Sequence, residues 1–513
     1  MKKIITLLAV VVLAGWNGLV QAAQKPGEIT AGQTKTEAAS IPKAEASVTQ
    51  HRIVIGGAAI NYTATAGTLI IRDARDQPYA GIGYFAYTKN DISDPSRRPI
   101  TFAYNGGPGT SSVWLHMGAL GPRRIVTADA TATPPPPYKV VDNEASILDR
   151  TDLVMIDPVG TGYSKAVGEA KDKDFYSVDA DIESISRFIK QYITDNGRWN
   201  SPKYLLGESY GTTRSAGVVD YLQVNEAMAF NGVIMVSMVT DCELSGADNQ
   251  RPQPLDLPAY TAVAWYHKVL PDPPAELGPL LNEVRAFVIG EYSCALMQGN
   301  DLPDDERQAI LAKLHRYTGL PVDYLDKSDL RVNTFQFCKE LLRDRGETVG
   351  WLDARFLGVA FDPLGKNPEY DPQDSSTTPA FIAAFLDYLH RDLNFRPDKT
   401  YVKYTDIWKT WDYRHKIEGV EVPQSLANTG VDLAHAMGFN PNLRVLVLQG
   451  MYDLATTFFA TEYQVSHLKL SKDLRSHIEI KYYDAGHMMY LHEPSLKKFK
   501  ADLAEFIDAT NRL

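Results

Sequence analysis

The chain has 513 residues, of which 44% are hydrophobic and 22% are charged, and its formal net charge is −11. This composition is typical of a globular protein with a large buried core and excludes a disordered chain. The acidic balance disfavours nucleic acids and anionic membranes as partners, because both carry negative charge.

The N-terminus has the pattern of an export signal that is removed from the mature protein. Lys2 and Lys3 precede a short apolar run, residues 4–14, and small residues around Ala22 offer a cleavage site. The run is too short to span a membrane comfortably. We therefore expect residues 1–22 to be a signal peptide and the mature chain to carry a net charge of −13, since two lysines are lost. This predicts a periplasmic or secreted protein with no membrane partner after cleavage.

Residues 23–50 are rich in Ala, Gln, Lys, Thr and Pro and show no apolar periodicity, so they are predicted to be a flexible linker. Strands are predicted next at residues 68–71, 79–88 and 100–104, each ended by polar residues, Gly or Pro. A loop dense in glycine, residues 105–112, follows the third of these strands.

A buried strand is predicted at residues 153–156, because a short continuous apolar run is typical of a parallel strand covered on both faces. A second glycine-bearing turn follows at residues 157–164. The next segment is predicted to be a helix with Ser177 as its N-cap. Its apolar face comprises Val178, Ile182, Ile185, Phe188, Ile189, Tyr192 and Ile193. Further buried strands are predicted at residues 203–206 and 233–236.

The alternation of strands and helices breaks down between residues 242 and 413. This stretch has helical patterns and many prolines, and it is predicted to be a mostly helical cap inserted into an α/β core. Strands return at residues 445–448 and 478–483, and a closing amphipathic helix follows. The pattern predicts a central, mostly parallel sheet built from two parts of the chain, residues 51–241 and 414–513.

The three cysteines are Cys242, Cys294 and Cys338, and no two of them form a close metal-binding pair. No metal ion and no organic cofactor are expected. In an oxidising compartment two thiols could form a disulfide, with Cys294 and Cys338 the preferred pair. Three unbridged thiols are the alternative.

The segment Gly207-Glu208-Ser209-Tyr210-Gly211 has the G-x-S-x-G pattern of a strained turn that exposes a nucleophilic serine. A predicted strand precedes it and a helical pattern follows, which is the context that such a turn requires. A serine hydroxyl is a poor nucleophile unless a base takes its proton. Ser209 is therefore the predicted nucleophile, and a glycine-rich packing turn is the alternative.

The acid and the base of such a site are expected after the serine in chain order, each behind a strand. Asp453 follows the strand predicted at residues 445–448, and His487 follows the strand predicted at residues 478–483. The imidazole would accept the serine proton, and the carboxylate would fix the tautomer and stabilise the imidazolium. Asp484 and His492 are the nearest rivals, but one lies too close in sequence to His487 and the other sits at the approach to a helix.

An oxyanion requires N–H donors that are fixed before the charge develops. Tyr210, directly after the nucleophile, supplies one candidate. Gly107, in the loop after an earlier strand, supplies the second, and a plain turn is the alternative interpretation of that loop.

Five segments together resemble the serine carboxypeptidase family. Residues 105–112 resemble its N-G-G-P-G-C-S-S loop, and residues 157–164 resemble its D-x-P-x-G-x-G-x-S region, one residue shorter. Residues 207–211 match its G-E-S-Y-A/G elbow. Residues 450–453 and 485–488 resemble its G-D-x-D and G-A-G-H-M segments.

The resemblance keeps the family's order over about residues 100–490 and implies an α/β-hydrolase fold. It implies a bacterial secreted enzyme with a peptide substrate, in which Ser209 forms an acyl-enzyme during hydrolysis of C-terminal peptide bonds. It further implies that Asn105 and Glu208 bind the substrate's terminal carboxylate. A carboxyl group can donate to another carboxylate only when it is protonated, so such a site favours acid pH.

Three departures from the family's sequence pattern bear on this resemblance. Thr110 replaces a cysteine, so the disulfide anchored there cannot form. Ala119 stands where the family has a glutamate that supports the carboxylate-binding glutamate, which puts the pH range of recognition in question. Met451 replaces the first aspartate of G-D-x-D.

Three other functions are compatible with this outline. A proline-releasing aminopeptidase also carries a G-G-P-G loop, but that group usually has histidine where Asn105 stands. An esterase or acyltransferase would use the same nucleophile. A catalytically silent binding protein is disfavoured by the complete set of Ser209, Asp453 and His487. The sequence leaves the oligomeric state open.

Overall fold

The computed structural model describes residues 45–244, 254–417 and 419–511. The signal peptide predicted at residues 1–22 and most of the predicted linker lie outside the described residues.

Most strands of the described chain belong to one mixed sheet. The strands are β1 Ala46–Ile55, β2 Ala58–Arg72, β3 Pro78–Lys89, β4 Ile100–Tyr104, β5 Arg123–Ile125, β6 Val140–Asp142, β7 Asp152–Ile156, β8 Lys165–Ala166, β9 Lys203–Glu208, β10 Gly232–Val236, β11 Glu347–Val349, β12 Leu357–Val359, β13 Arg444–Gly450 and β14 Ile478–Tyr483. Ten of them form the central sheet in the order β1-β2-β3-β7-β4-β9-β10-β13-β14, with β8 paired to β3.

The sheet is antiparallel at one end and parallel from β7 to β14. The helices are α1 Val113–Leu115, α2 Val178–Asp195, α3 Tyr210–Glu226, α4 Leu257–Tyr266, α5 Leu277–Phe287, α6 Ser293–Gln298, α7 Asp304–Thr318, α8 Val322–Lys327, α9 Thr334–Glu340, α10 Pro372–Arg391, α11 Gly430–Phe439, α12 Phe458–His467, α13 Lys472–Arg475 and α14 Glu493–Thr510. The predicted α/β-hydrolase fold is confirmed.

The parallel strands form where the sequence has continuous apolar runs. Strands β4, β7 and β10 are buried at every position, because apolar clusters cover both faces of the sheet. Helix α2 begins at the predicted cap, where Ser177 Oγ accepts a hydrogen bond of 3.2 Å from the backbone N–H of Ala180. It packs closely on α3, since a Cβ at Gly217 would lie 2.2 Å from Ile182 Cδ1.

Strand β1 begins at Ala46, so the linker predicted to reach residue 50 ends earlier than expected. It pairs with β2 at the edge of the sheet, with Ala46 opposite Gly67. Only Ile53 and Ile55 in β1 are buried. The strand therefore lacks the apolar periodicity by which its first half could have been recognised.

Residues 254–413 are mostly helical, as predicted for the cap, and also form the short hairpin β11–β12. Their apolar core is continuous with Tyr452 and Leu454, which follow β13, and with the start of α12. The insertion thus packs directly on the chain segment that carries Asp453. None of the described helices is long and apolar enough to cross a membrane.

No disulfide joins the cysteines in the described part of the chain, so the bond between Cys294 and Cys338 preferred from sequence is wrong and the alternative of unbridged thiols is confirmed. Cys338 is fully buried in the core of the insertion, whereas Cys294 on α6 is exposed. The two side chains belong to opposite environments, which explains why they do not pair.

Candidate active site

Ser209 occupies a strained turn between β9 and α3. Its backbone has φ +60° and ψ −131°, a conformation that non-glycine residues rarely adopt. The chain can bend this sharply because Gly207 lacks a side chain, and a Cβ there would lie 2.1 Å from the carbonyl oxygen of Gly211. The turn therefore places Ser209 at the carboxyl end of β9, as the sequence pattern predicts for a nucleophile.

Asp453 and His487 are in direct contact. His487 Nδ1 lies 2.9 Å from Asp453 Oδ2, and Asp453 is fully buried. The backbone N–H groups of Ala455 and Thr456 donate to Asp453 Oδ1 at 2.8 and 3.0 Å, and the Thr456 hydroxyl donates to Oδ2 at 2.8 Å. This arrangement favours the tautomer with its proton on Nδ1, in which Nε2 of His487 is free to accept a proton.

The pKa of His487 is raised above 6.5 by its surroundings. Burial by itself lowers the pKa, but the negative charges of Asp453, Glu208 and Asp371 outweigh it. The imidazolium that forms when a serine proton is taken would therefore be stabilised.

The end of β10 holds the serine turn and the histidine loop together. The N–H of Ser209 donates to the Val236 carbonyl at 2.9 Å, and the hydroxyl of the next residue, Ser237, donates to the His487 carbonyl at 2.7 Å. Ser209 Oγ makes no hydrogen bond to His487 in the part of the chain that the structure describes. Such bonds are often long before substrate binds.

The loop at residues 105–109 lies against the serine turn. A Cβ at Gly106 would be 2.4 Å from the backbone nitrogen of Tyr210 and 2.7 Å from the Glu208 carbonyl oxygen. Gly107 follows directly, with φ +105°. The structure therefore brings the two residues predicted for the oxyanion hole, Gly107 and Tyr210, into neighbouring segments.

Asn105 and Glu208 form a buried pair beside Ser209. Asn105 Nδ2 donates to Glu208 Oε1 at 2.7 Å, and the two residues are only 2% and 3% exposed. Burial raises the pKa of Glu208 to about 7, and Asp453 also raises it. His487, Tyr490 and Asn105 act in the opposite direction. Glu208 is thus protonated over a pH range in which an ordinary glutamate is charged.

Arg214 was not singled out from the sequence, yet it holds this pair in place. Its guanidinium is fully buried and donates to the Asn105 carbonyl and to Asp181 Oδ2, both at 2.8 Å. It also lies 5.0 and 5.3 Å from the ring centres of Tyr104 and Tyr210. Its signal in the sequence is that a charged residue stands among the small residues at positions 211–217, in the first part of α3.

The insertion, residues 242–413, contacts the loop after β14 that carries His487, the histidine loop. The N–H of His487 donates to the Leu352 carbonyl at 2.7 Å, and the N–H of Gly486 donates to Asp353 Oδ2 at 3.1 Å. Asp353 is in turn held by Arg355 at 2.6 Å. These contacts depend on tertiary packing and had no signature in the sequence.

The two rival residues lie outside this arrangement. Asp484 is exposed, and His492 Nδ1 is paired with Ser495 Oγ at 2.8 Å. The structure therefore favours Asp453 and His487 as the acid and the base.

The fold is that of the α/β-hydrolases, and the positions of Ser209, Asp453 and His487 are those that a serine hydrolase requires of its nucleophile, acid and base. Residues 74–241 match the sequence model of the serine carboxypeptidase family. A curated relative, the pheromone-processing carboxypeptidase KEX1 of Saccharomyces cerevisiae, is 33% identical over 147 residues, which cover 27% of this chain and 19% of the relative. The match thus spans about a fifth of the length of that relative.

A solved structure shows the same fold. The crystal structure of a KEX1 prohormone-processing carboxypeptidase from Saccharomyces cerevisiae superposes with a TM-score of 0.53 at 15% identity, covering 87% of this chain and 92% of that chain. A proline iminopeptidase from Mycobacterium smegmatis gives a TM-score of 0.38 at 13% identity, with 86% and 98% covered. The chain therefore has the α/β-hydrolase fold and shares the serine carboxypeptidase sequence pattern over residues 74–241.

Proposed function

We propose that this protein is an exported serine-type carboxypeptidase that removes the C-terminal residue of peptides, in the periplasm or outside a bacterial cell. The observation that carries the proposal is the buried pair of Asn105 and Glu208, which is joined to the nucleophile through the backbone of the same turn. A protonated Glu208 and the Asn105 amide are donors suited to a substrate carboxylate. An ester or amide lacking that charge would gain nothing from them.

The reaction follows from the positions of the residues. His487 Nε2 accepts the proton of Ser209 Oγ as the oxygen attacks the scissile carbonyl, and Asp453 stabilises the imidazolium. The N–H groups of Gly107 and Tyr210 receive the oxyanion. His487 then protonates the leaving amine. Water hydrolyses the acyl-enzyme in a second step that uses the same base.

The test uses purified mature protein with three substrates: N-blocked dipeptides, unblocked prolyl amides and simple esters, from acid to neutral pH. Release of the C-terminal residue from blocked dipeptides, abolished in Ser209→Ala, is the expected result. Cleavage of esters alone would reject the carboxypeptidase and retain a hydrolase. Release of proline from unblocked amides would favour an aminopeptidase, and unchanged activity in Ser209→Ala would reject Ser209 as the nucleophile.

A further inference from the structure

Two buried polar atoms beside the nucleophile lack hydrogen-bond partners among the described protein groups. They are Glu208 Oε2 and Tyr490 Oη. Both residues are only 3% exposed. Buried polar atoms are nearly always paired, and an unpaired one costs free energy. Both groups are therefore available to a further partner.

Tyr490 reaches the site from the loop after β14, three residues beyond His487. Its ring packs where Gly118 lacks a side chain, and a Cβ there would lie 2.5 Å from Tyr490 Cε2. Ala119 follows Gly118 and is too small to reach Glu208. The aromatic side chain of Tyr490 therefore packs against the segment that carries Ala119.

The Tyr490 hydroxyl lies against the carboxyl group of Glu208 and the amide of Asn105. It lowers the pKa of Glu208, and the Glu208 charge together with burial raises the pKa of Tyr490 well above 10. Tyr490 therefore keeps its proton at any working pH and acts as a donor. The two groups are neighbours that stop short of a hydrogen bond of ordinary geometry.

We propose that Tyr490 is a positioning residue for Glu208. The Tyr490 hydroxyl donates to Oε2 of the charged carboxylate and so stabilises the charged form of Glu208 relative to the protonated form that binds the substrate. This inference rests on the proposed function and identifies Tyr490 as a residue that sets the pH range of substrate binding. Tyr490 would thus take over, with a neutral phenol, the support that position 119 does not give.

The direction of the effect follows from the groups around Glu208. Among the titratable groups, His487 and Tyr490 favour its charged form and Asp453 favours its protonated form, while the Asn105 amide also favours the charge. Asp371 acts on His487. Removing the Tyr490 hydroxyl takes away one donor to the charged form. Glu208 should then stay protonated to higher pH.

The experiment is the pH dependence of kcat/KM for an N-blocked dipeptide in Tyr490→Phe. The alkaline limb should move upward by about one pH unit, mainly through KM, since a shift of that size is typical of one hydrogen bond to a charged carboxylate. The matched control is Tyr388→Phe, because Tyr388 is another buried tyrosine of the same apolar cluster and its hydroxyl lies 3.2 Å from Tyr87. The control should leave the limb in place.

A double variant isolates the route through Glu208. In a Glu208→Gln background, Tyr490→Phe should produce no further shift. An unmoved limb in Tyr490→Phe, an equal shift in Tyr388→Phe, or a shift that persists in the Glu208→Gln background would each overturn the inference.

A binding measurement separates failure of the inference from failure of the proposed function. Acetyl-phenylalanine, which has a free carboxylate, would be titrated into Ser209→Ala and into Ser209→Ala/Tyr490→Phe across the same pH range. If binding is lost at a higher pH in Ser209→Ala/Tyr490→Phe than in Ser209→Ala, the inference is supported without any turnover. Binding with identical pH dependence in both proteins rejects it. Inactivity of the wild-type enzyme on blocked dipeptides rejects the proposed function instead.

Discussion

In the proposed function, the protonation of Glu208 links the structure to substrate choice. Burial raises its pKa to about 7, against 4.5 for an ordinary glutamate. Its ability to donate to a carboxylate is therefore present below about pH 7 and is lost as the pH rises through that value. Since the Glu208 charge raises the pKa of His487, the two groups titrate together. Their apparent pKa values therefore belong to the pair.

Glu208→Gln replaces the titrating group with a permanent donor. We expect hydrolysis of blocked dipeptides to persist to higher pH than in the wild type. The acid limb should stay in place, because Glu208 is already uncharged at that pH and its replacement removes no charge from the surroundings of His487. The full pH profile of kcat/KM measures both limbs. An unchanged profile would contradict the role of Glu208 as a protonated donor.

Asp453→Asn keeps the shape of the acid but removes its charge. The amide can donate to Nδ1 of His487 and so stabilise the wrong tautomer, and kcat should fall by about 10⁴. Burst or steady-state kinetics on a blocked dipeptide measure the loss. The exposed Asp484 provides the control, since Asp484→Asn should leave kcat within a factor of about two. Equal losses in both variants would argue against Asp453 as the acid.

At the scale of elements, Arg214 joins α3 to α2 and to the loop after β4. Its guanidinium lies 2.8 Å from Asp181 Oδ2, and both side chains are buried. Arg214→Met would leave the Asp181 carboxylate buried without its cation, at a cost of about 3–5 kcal/mol in unfolding free energy. Urea unfolding measures the change. Lys327→Ala, which breaks an exposed pair with Asp323, should cost less than about 0.5 kcal/mol. A similar small loss in Arg214→Met would contradict this account.

His415 joins α2 to α11 through Asp179 and Asp432, at 2.7 and 2.8 Å. Burial lowers the pKa of His415, but the two carboxylates outweigh it and raise the pKa to about 9. A raised pKa in the folded state contributes stability that is complete below about pH 6.5 and is lost as the pH rises to about 9.

His415→Gln should therefore remove that stabilising contribution and flatten the decline of stability between these pH values. The wild type should lose about 1–3 kcal/mol more than the variant from pH 6.5 to 9. Urea unfolding at several pH values measures this difference. Parallel curves for the two proteins would show that His415 is not held in its charged form.

The elements that the sequence predicts well are those set by local patterns. Strands β7, β10, β13 and β14 and helix α2 lie where apolar runs or a helical apolar face predict them. Strand β1 is not predicted from the sequence, because an edge strand covered on one side at most needs few apolar residues. Only residues 68–71 of β2 are predicted, since the buried positions before them are mostly small residues. The free state of Cys294 and Cys338 depends on which way α6 and α9 face, which no spacing between cysteines reveals.

At the scale of the whole molecule, the candidate site draws on three parts of the chain. The first core segment supplies Asn105 and Ser209, and the second supplies Asp453 and His487. The insertion holds the histidine loop through Leu352 and Asp353. The residues proposed to act directly can be predicted from the sequence, because they belong to turns with a local signature. The residues that orient them, such as Arg214 and Tyr490, cannot, since their partners are distant in sequence.

The measurement that tests the central claim most directly compares an N-blocked dipeptide with the same dipeptide carrying a C-terminal amide. The account predicts that kcat/KM favours the free carboxylate by about a hundredfold below pH 7, the effect of charge-assisted hydrogen bonds from Asn105 and Glu208. This preference should decline as the pH rises through the pKa of Glu208. Equal rates for the two substrates at acid pH, or a preference for the amide, would contradict it.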